Sequence, residues 1–298
     1  MAVILALVLG ACSGGSSTST APLAGPAPIR IASFDFPESV LLAEVYGEAL
    51  RARGLPVTLS LDLGSREIVQ PALQQGFVDL VPEYAGSALD FVTVGRQHAT
   101  ADPVATHDLL VRALRPRGVA VLAASAAQDQ NAVAVTSTTA LENHIRSISD
   151  LAPVAGGLRF GGPPECPQRP LCLIGLQQTY GLHFGEFVAL DASGPYTVNA
   201  LKDGGVDVAL LFTSDGAIPA NEFVVLRDDR GLQPAENVTP VLRQAVIDAY
   251  GPDVIDVLDA VSAALTTTGL IRMNERVLDG EHPGAVAREW LERHGLVG

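Results

Sequence analysis

Two distant stretches of this chain repeat one another, and the repeat limits its architecture more than any other feature. Ala72-Leu73-Gln74-Gln75-Gly76-Phe77-Val78-Asp79-Leu80 matches Ala200-Leu201-Lys202-Asp203-Gly204-Gly205-Val206-Asp207-Val208 in the Ala-Leu pair, the Gly and the Val-Asp pair, at a constant offset of 128 residues. Each copy reads as the end of a helix, a glycine stop and the start of a strand. Each strand then runs into a polar, Gly-containing loop, Pro82-Glu83-Tyr84-Ala85-Gly86-Ser87 in one copy and Phe212-Thr213-Ser214-Asp215-Gly216 in the other. Two lobes of similar build follow. In open α/β sheets ligands bind beyond the carboxyl ends of the strands, where loops and helix N-termini present unpaired N–H groups, so two such lobes predict a cleft walled by the repeated loops.

The periodicity around the repeats agrees. Ile29 to Ser33 reads as a strand, and Leu41, Leu42, Val45, Tyr46, Ala49 and Leu50 then recur at helical spacing until Gly54. Val57 to Leu63 alternates like a strand. Ser65 stands where it caps a helix carrying Ile68, Val69, Ala72 and Leu73, which Gly76 stops before a strand over Val78 to Val81. Asp102-Pro103 is a cap and first-turn pair for a helix ending near Gly118, with a strand after it over Val119 to Ala123. From Val241 to His294 the apolar residues, among them Val246, Tyr250, Val254, Leu258, Val261 and Leu265, keep helical spacing and predict a helical layer packed on one lobe. The chain has 298 residues of which 48% are apolar, enough to bury such a core. Its formal charge of −14 argues against a nucleic-acid partner held through its phosphates. No apolar run reaches the roughly 18–20 residues of a membrane-spanning helix.

Residues Ala2 to Gly10 are wholly apolar and end in Leu9-Gly10-Ala11-Cys12, and Ser13 to Pro28 form an uncharged Ser/Gly/Thr/Ala/Pro tract. This order resembles a bacterial lipoprotein signal (1–12) with Cys12 as the lipidated residue, followed by a flexible tether (13–28). It implies an exported chain, lipid-anchored at the outer face of the cytoplasmic membrane. Cys166 and Cys172 then remain, in an oxidising compartment, and the irregular Pro- and Gly-rich segment around them is expected to be closed by a local disulfide. Two cysteines without nearby histidines are half a ligand set, so no metal is expected.

The runs Ala32-Ser33-Phe34-Asp35-Phe36-Pro37-Glu38, Leu63-Gly64-Ser65-Arg66-Glu67-Ile68 and, above all, Asp79-Leu80-Val81-Pro82-Glu83-Tyr84-Ala85-Gly86-Ser87-Ala88-Leu89 resemble the substrate-binding proteins of ABC importers for glycine betaine, choline, carnitine and related compatible solutes. Ser149-Asp150-Leu151 and Phe212-Thr213-Ser214-Asp215-Gly216 add to the resemblance. It implies a type II periplasmic-binding-protein fold, two α/β lobes joined by two crossover strands that close on a solute and present it to a permease and its ATPase, with no cofactor. The crossovers are placed near 130–135 and 217–225, so that lobe one is 29–129 plus 226–298 and lobe two is 130–225.

A quaternary ammonium has no hydrogen-bond donor and is held by aromatic faces. By the resemblance, Tyr84 matches a cage tyrosine and Ser87 a neighbouring donor for a solute carboxylate. Asn131, Val198 and Phe212 stand where relatives carry further tyrosines, with Tyr196 as a candidate substitute. Phe34 stands where some relatives carry a basic residue, which leaves Arg169 as the candidate carboxylate partner. Asp35, Asn131 and Asp215 are candidate acceptors for solute hydroxyls, so choline and polyols stay open beside glycine betaine and carnitine. Phe34 and Phe212 read equally as core residues at strand ends, Tyr196 as a residue packed on its helix, and Glu83 as a hinge or helix-start contact.

An enzyme is the competing class. The sequence has no Gly-x-Ser-x-Gly elbow, no phosphate loop and no His-Glu-x-x-His, and its six histidines are scattered. A lipid-anchored sensor of the same fold, or a binder of a polyol or other polar solute, is the alternative within the binding class.

Overall fold

The structure, a computed structural model, describes residues 26–298. The signal, Cys12 and most of the tether lie outside the described residues. Among the described residues, ten strands form two five-stranded sheets. The first contains β1 (Ile29–Ala32), β2 (Val57–Ser60), β3 (Leu80–Tyr84), β4 (Val119–Val121) and β10 (Val238–Arg243), in the order β2-β1-β3-β10-β4. The second contains β5 (Asn131–Val135), β6 (Arg159–Gly162), β7 (Glu186–Ala189), β8 (Val208–Phe212) and β9 (Val224–Val225), in the order β7-β6-β8-β5-β9. In each sheet four strands point the same way and one runs against them, and that one arrives from the opposite lobe: β5 by the first crossover, β10 by the second.

The helices of the first lobe are α1 (Pro37–Ala52), α2 (Arg66–Gln75), α3 (Ala85–Thr93) and α4 (Pro103–Leu114). Those of the second are α5 (Ser137–Glu142), α6 (Leu173–Tyr180), α7 (Pro195–Lys202) and α8 (Ala217–Ala220). The C-terminal layer is α9 (Gln244–Tyr250), α10 (Asp253–Ala264), α11 (Thr267–Leu278) and α12 (Pro283–Arg293), and it packs on the first lobe through Val254, Leu258, Val261, Leu270, Trp290 and Leu291. That layer begins at Gln244 and not at Val241, because Val241 and Leu242 pair with β3 and β4 inside β10. Both faces of the second sheet are covered. Val133, Val135, Val208 and Leu210 enter one apolar cluster, while Ala132, Ala134, Ala209 and Leu211, pointing the other way with the strand's period of two, enter another.

The sequence repeat is a structural repeat. Gly76 and Gly204 both take the left-handed conformation, with φ of 78° and 74°, where a side chain costs energy. Asp79 accepts Arg30 Nε at 2.7 Å and Nη2 at 2.8 Å; Asp207 accepts Arg159 Nε and Nη2, both at 3.0 Å. Each aspartate also accepts the backbone N–H of its arginine, at 3.0 and 2.8 Å. Burial pushes the Asp79 carboxyl up, but the Arg30 hydrogen bonds outweigh it and hold the group below its ordinary range. Asp79 and Asp207 therefore lock the parallel strand pairs of each lobe.

Two expectations are corrected here. Pro82, Glu83 and Tyr84 are strand residues, not a loop: β3 pairs with β10 so that Pro82 faces Pro240, and the two missing N–H donors fall at one register position. The crossovers are the segments 122–130 and 226–237, the second of which first turns at Asp229-Arg230 against the second lobe, whereas 131–135 is β5 and 217–225 holds α8 and β9, all within the second lobe. The misplacement arises because Leu226 and Leu232 still pack on the second core and Asp228 accepts Leu232 and Gln233 N–H groups. The crossovers run side by side, joined by a bridge between Gln128 and Asn237 and by Asp129 N donating to Glu236 O at 3.1 Å.

Candidate functional site

A cavity of about 500 Å³ opens between the two sheets. Its walls come from the carboxyl ends of β1 and β3, one face of α3, both crossovers, and the disulfide loop of the second lobe. Phe36 is the centre of its aromatic wall. The Phe36 ring lies 5.9 Å from Phe34 and nearly parallel to it, 6.0 Å from Tyr84 and 5.0 Å from Phe212. Phe36 precedes Pro37, the first residue of α1, so its backbone is extended and its position at the strand-to-helix turn is set locally. Sequence reasoning quoted Phe36 as part of a motif without assigning it to the site; its signal was the Phe-x-Phe alternation around Asp35.

Of the expected site residues, Phe34, Asp35, Tyr84, Ser87, Asn131, Arg169 and Phe212 all line this cavity. Their chemistry differs from expectation in several places. Phe34 is buried, with the Arg66 guanidinium 4.9 Å from its ring centroid. Tyr84 donates its hydroxyl to Glu38 Oε1 at 2.7 Å and is itself buried. Ser87 donates both its N–H, at 3.0 Å, and its hydroxyl, at 2.6 Å, to the Glu236 carboxylate. Asn131 holds the disulfide loop by donating to the Leu171 carbonyl at 3.0 Å, as does Gln233. Cys166 and Cys172 are joined, with their Cα atoms 5.3 Å apart.

Tyr196 and Asp215 are not brought to the cavity. Tyr196 lies on the outer face of α7, 75% exposed. Asp215 accepts the Ser193 hydroxyl at 2.5 Å and the Ala217 N–H at 2.7 Å, which is the work of a turn residue ahead of α8. It lines a separate groove of about 230 Å³ on the far side of Phe36 and Phe212.

The polar groups that sequence reasoning did not place are buried carboxyls. Glu38, on α1, accepts Tyr84 Oη, Ser214 Oγ and Asn274 Nδ2, the last at 2.5 Å. These bonds tie the first lobe, the second lobe and α11 together. Burial pushes the Glu38 carboxyl up while its three donors oppose the shift. Asp129, on the first crossover, accepts Ser214 N–H at 2.9 Å, and burial together with the adjoining Glu38 charge drives it well above the carboxylate range. The two carboxyls lie in one buried, coupled network, and burial drives both upward. Glu236, on the second crossover, is pushed up to about 7 by burial, against the pull of its Ser87 hydrogen bonds.

The two arginines of the cavity are already paired. Arg66 donates Nη2 to Glu83 at 2.9 Å, both residues being buried, and Gln70 completes Glu83 at 2.8 Å. Arg169 reaches across the cleft from the disulfide loop to Glu67 on α2 at 2.8 Å, and also contacts Glu165 at 3.1 Å. Burial raises the Glu67 carboxyl, but hydrogen bonds from Arg169 and Ser65 more than reverse this and lower it. Gly86 permits the close seating of α3 on the second crossover: a Cβ there would stand 2.6 Å from Pro234 and 2.9 Å from the Ala235 carbonyl. The site is thus an aromatic wall facing a hinge rich in carboxyls.

A family model described as the substrate binding domain of the ABC-type glycine betaine transport system matches residues 27–293. The glycine-betaine-binding protein of Pseudomonas aeruginosa is 28% identical over 303 residues, covering 98% of this chain and 96% of its own. The glycine betaine-binding protein YehZ of Escherichia coli is 25% identical over 284 residues, covering 92% of this chain and 93% of its own. Among solved structures, one described as a glycine betaine/carnitine/choline ABC transporter superposes with a TM-score of 0.70 at 24% identity, covering 90% of this chain and 99% of the other. Apo YehZ superposes with a TM-score of 0.64 at 24% identity, covering 91% and 100%. These likenesses establish the type II periplasmic-binding-protein fold.

Proposed function

The chain belongs to the substrate-binding domains of ABC-type glycine betaine transport systems, and from that premise we propose that it captures a small quaternary ammonium solute in the cleft between its sheets and delivers it to the importer's permease. The observation that carries this reading is the Phe36 ring on the cavity wall, with Phe34, Tyr84 and Phe212 around it. Such a wall attracts a cation that offers no hydrogen bond, and buried or partly buried carboxyls behind it add to the negative potential. The names of the curated relatives support the same class of solute.

Closure about the paired crossovers gives the binding its use in transport. The Glu67–Arg169 pair and the Glu38–Ser214 bond each join the two lobes, so the closed form presents one composite surface only when the lobes meet. The chain is read as a binder rather than a catalyst, in keeping with the family. Anchoring through a lipid on Cys12 is supported by the Leu9-Gly10-Ala11-Cys12 order alone, and release of a Cys12→Ser chain from the membrane fraction tests it.

Calorimetric titration of the protein with choline, glycine betaine and carnitine tests the solute class, with a polyol and a sugar as controls. Binding of a quaternary amine that weakens about 2- to 30-fold in Phe36→Ala, the equivalent of losing about 0.5–2 kcal/mol, is the expected result. Binding of the polyol or sugar alone refutes the solute class.

A further inference from the structure

One face of α3 looks into the cavity. Ser87, Asp90 and Phe91 line it at the i, i+3 and i+4 spacing of a single helical stripe, and Val94, the left-handed residue that ends the helix, lines it too. Ser87 is satisfied by Glu236, but Asp90, one turn further on, accepts a hydrogen bond from none of the described residues although it is only 8% exposed. Its oxygens are not sealed off, so the donor that the chain does not provide can come from the cavity that Asp90 lines. Asp90 lines the cavity beside Ser87 and Phe91.

Both arginines of the cavity wall and the first turn of α3 are engaged by carboxylates of the chain itself. Arg66 is spent on Glu83, and Arg169 on Glu67 and Glu165. The first turn of α3, where N–H groups and the helix dipole favour an anion, is taken by the Glu236 carboxylate through Ser87 N–H. A solute carboxylate entering here would meet Asp90 and Glu236 with both arginines of the cavity wall already paired, and His98, the basic group near Asp90, is not among the lining residues. A hydroxyl or an ammonium would meet an acceptor that lacks a donor.

We propose that Asp90 is a specificity residue that receives a hydrogen-bond donor on the tail of the cationic solute, so that the cavity prefers a hydroxyl-bearing quaternary amine to one bearing a carboxylate. This rests on the quaternary ammonium reading of the same cavity. Asp90 acts on the tail and the aromatic wall on the head, so the two claims separate experimentally.

The test compares choline, glycine betaine and tetramethylammonium by calorimetry on the wild-type protein, Asp90→Asn and Asp90→Ala, with thermal unfolding run on each to show that the fold is kept. The wild type is expected to bind choline at least tenfold more tightly than glycine betaine. Asp90→Asn is expected to lower choline affinity at least tenfold more than it lowers that of tetramethylammonium, which has the head but no tail, and to narrow the choline-to-betaine ratio. Equal losses for choline and tetramethylammonium, or a wild type that prefers glycine betaine, overturn the role of Asp90 and leave the head site standing. A wild type that binds none of the three removes the quaternary ammonium reading and the role of Asp90 with it.

Discussion

Glu236→Gln is expected to stabilise the protein at neutral and alkaline pH while leaving its stability in acid almost unchanged. Glu236 is fully buried at the second crossover and titrates near 7 when folded, against 4.5 for an ordinary glutamate. Below pH 4.5 both the folded and the unfolded chain carry the proton, and nothing is lost. As pH rises from about 4.5 to about 7 the unfolded chain releases it first, so the folded state must either keep a proton at growing cost or bury a charge. Integrated over that window the penalty is roughly 3 kcal/mol. Asp129 and Glu38 are raised in the same direction and add to the wild-type slope, whereas Asp79 and Glu67 are lowered and act below the ordinary carboxylate range, outside this window. Glutamine removes only the Glu236 contribution. Its amide keeps the hydrogen bonds, since Oε1 accepts the Ser87 N–H while the Ser87 hydroxyl turns to accept from Nε2. Urea unfolding at a series of pH values between 4.5 and 8, on wild type and variant, gives the difference directly; at roughly 2–4 °C per kcal/mol for a domain of this size, the melting temperatures should part by about 6–12 °C at pH 8. Parallel pH profiles for the two proteins would refute the burial argument for Glu236.

Two shorter predictions concern the disulfide loop. Cys166→Ser/Cys172→Ser is expected to cost about 2 kcal/mol, the loop-closure value for a bridge with a sequence separation of 6, and equilibrium unfolding under matched conditions checks it. Glu67 and Arg169 should show a coupling of about 0.2–1 kcal/mol in solute affinity in a double-mutant cycle with Glu67→Gln and Arg169→Gln, shrinking as salt is raised; strictly additive losses would mean that the pair has no part in closure.

Much of the architecture was legible in the chain because it is local. The helix of Leu41 to Leu50, the Asp102 cap, whose carboxylate accepts Val104 and Ala105 N–H, and the glycine stops at Gly76 and Gly204 follow from spacing and backbone preference within a few residues. The repeat at an offset of 128 residues foretold two lobes because the same strand lock, an aspartate on an arginine, is built twice. What the sequence could not decide depends on pairing across long separations. Pro82-Glu83-Tyr84 reads as a loop until β10, more than 150 residues later, is seen to lie beside it with Pro240 opposite Pro82. The crossovers were misplaced because Leu226 and Leu232 belong by packing, not by pattern, to the second lobe.

The site divides in the same way. Seven of the nine expected solute-facing positions lie on the cavity, since the carboxyl ends of strands and the first turns of helices are where a repeated α/β unit exposes its chain. Which of their groups are free is a tertiary matter. Ser87, Arg169 and Tyr84 look like ligand groups in the sequence, yet each is engaged by a carboxyl from elsewhere in the chain, 149, 102 and 46 residues away. Asp90, unremarkable in sequence, is left without a donor because α3 turns it inward with Ser87. The residues present are a property of the sequence, but the charges that remain unspent are decided only when buried groups from both lobes meet in one low-dielectric space, where each must find its partner or wait for one.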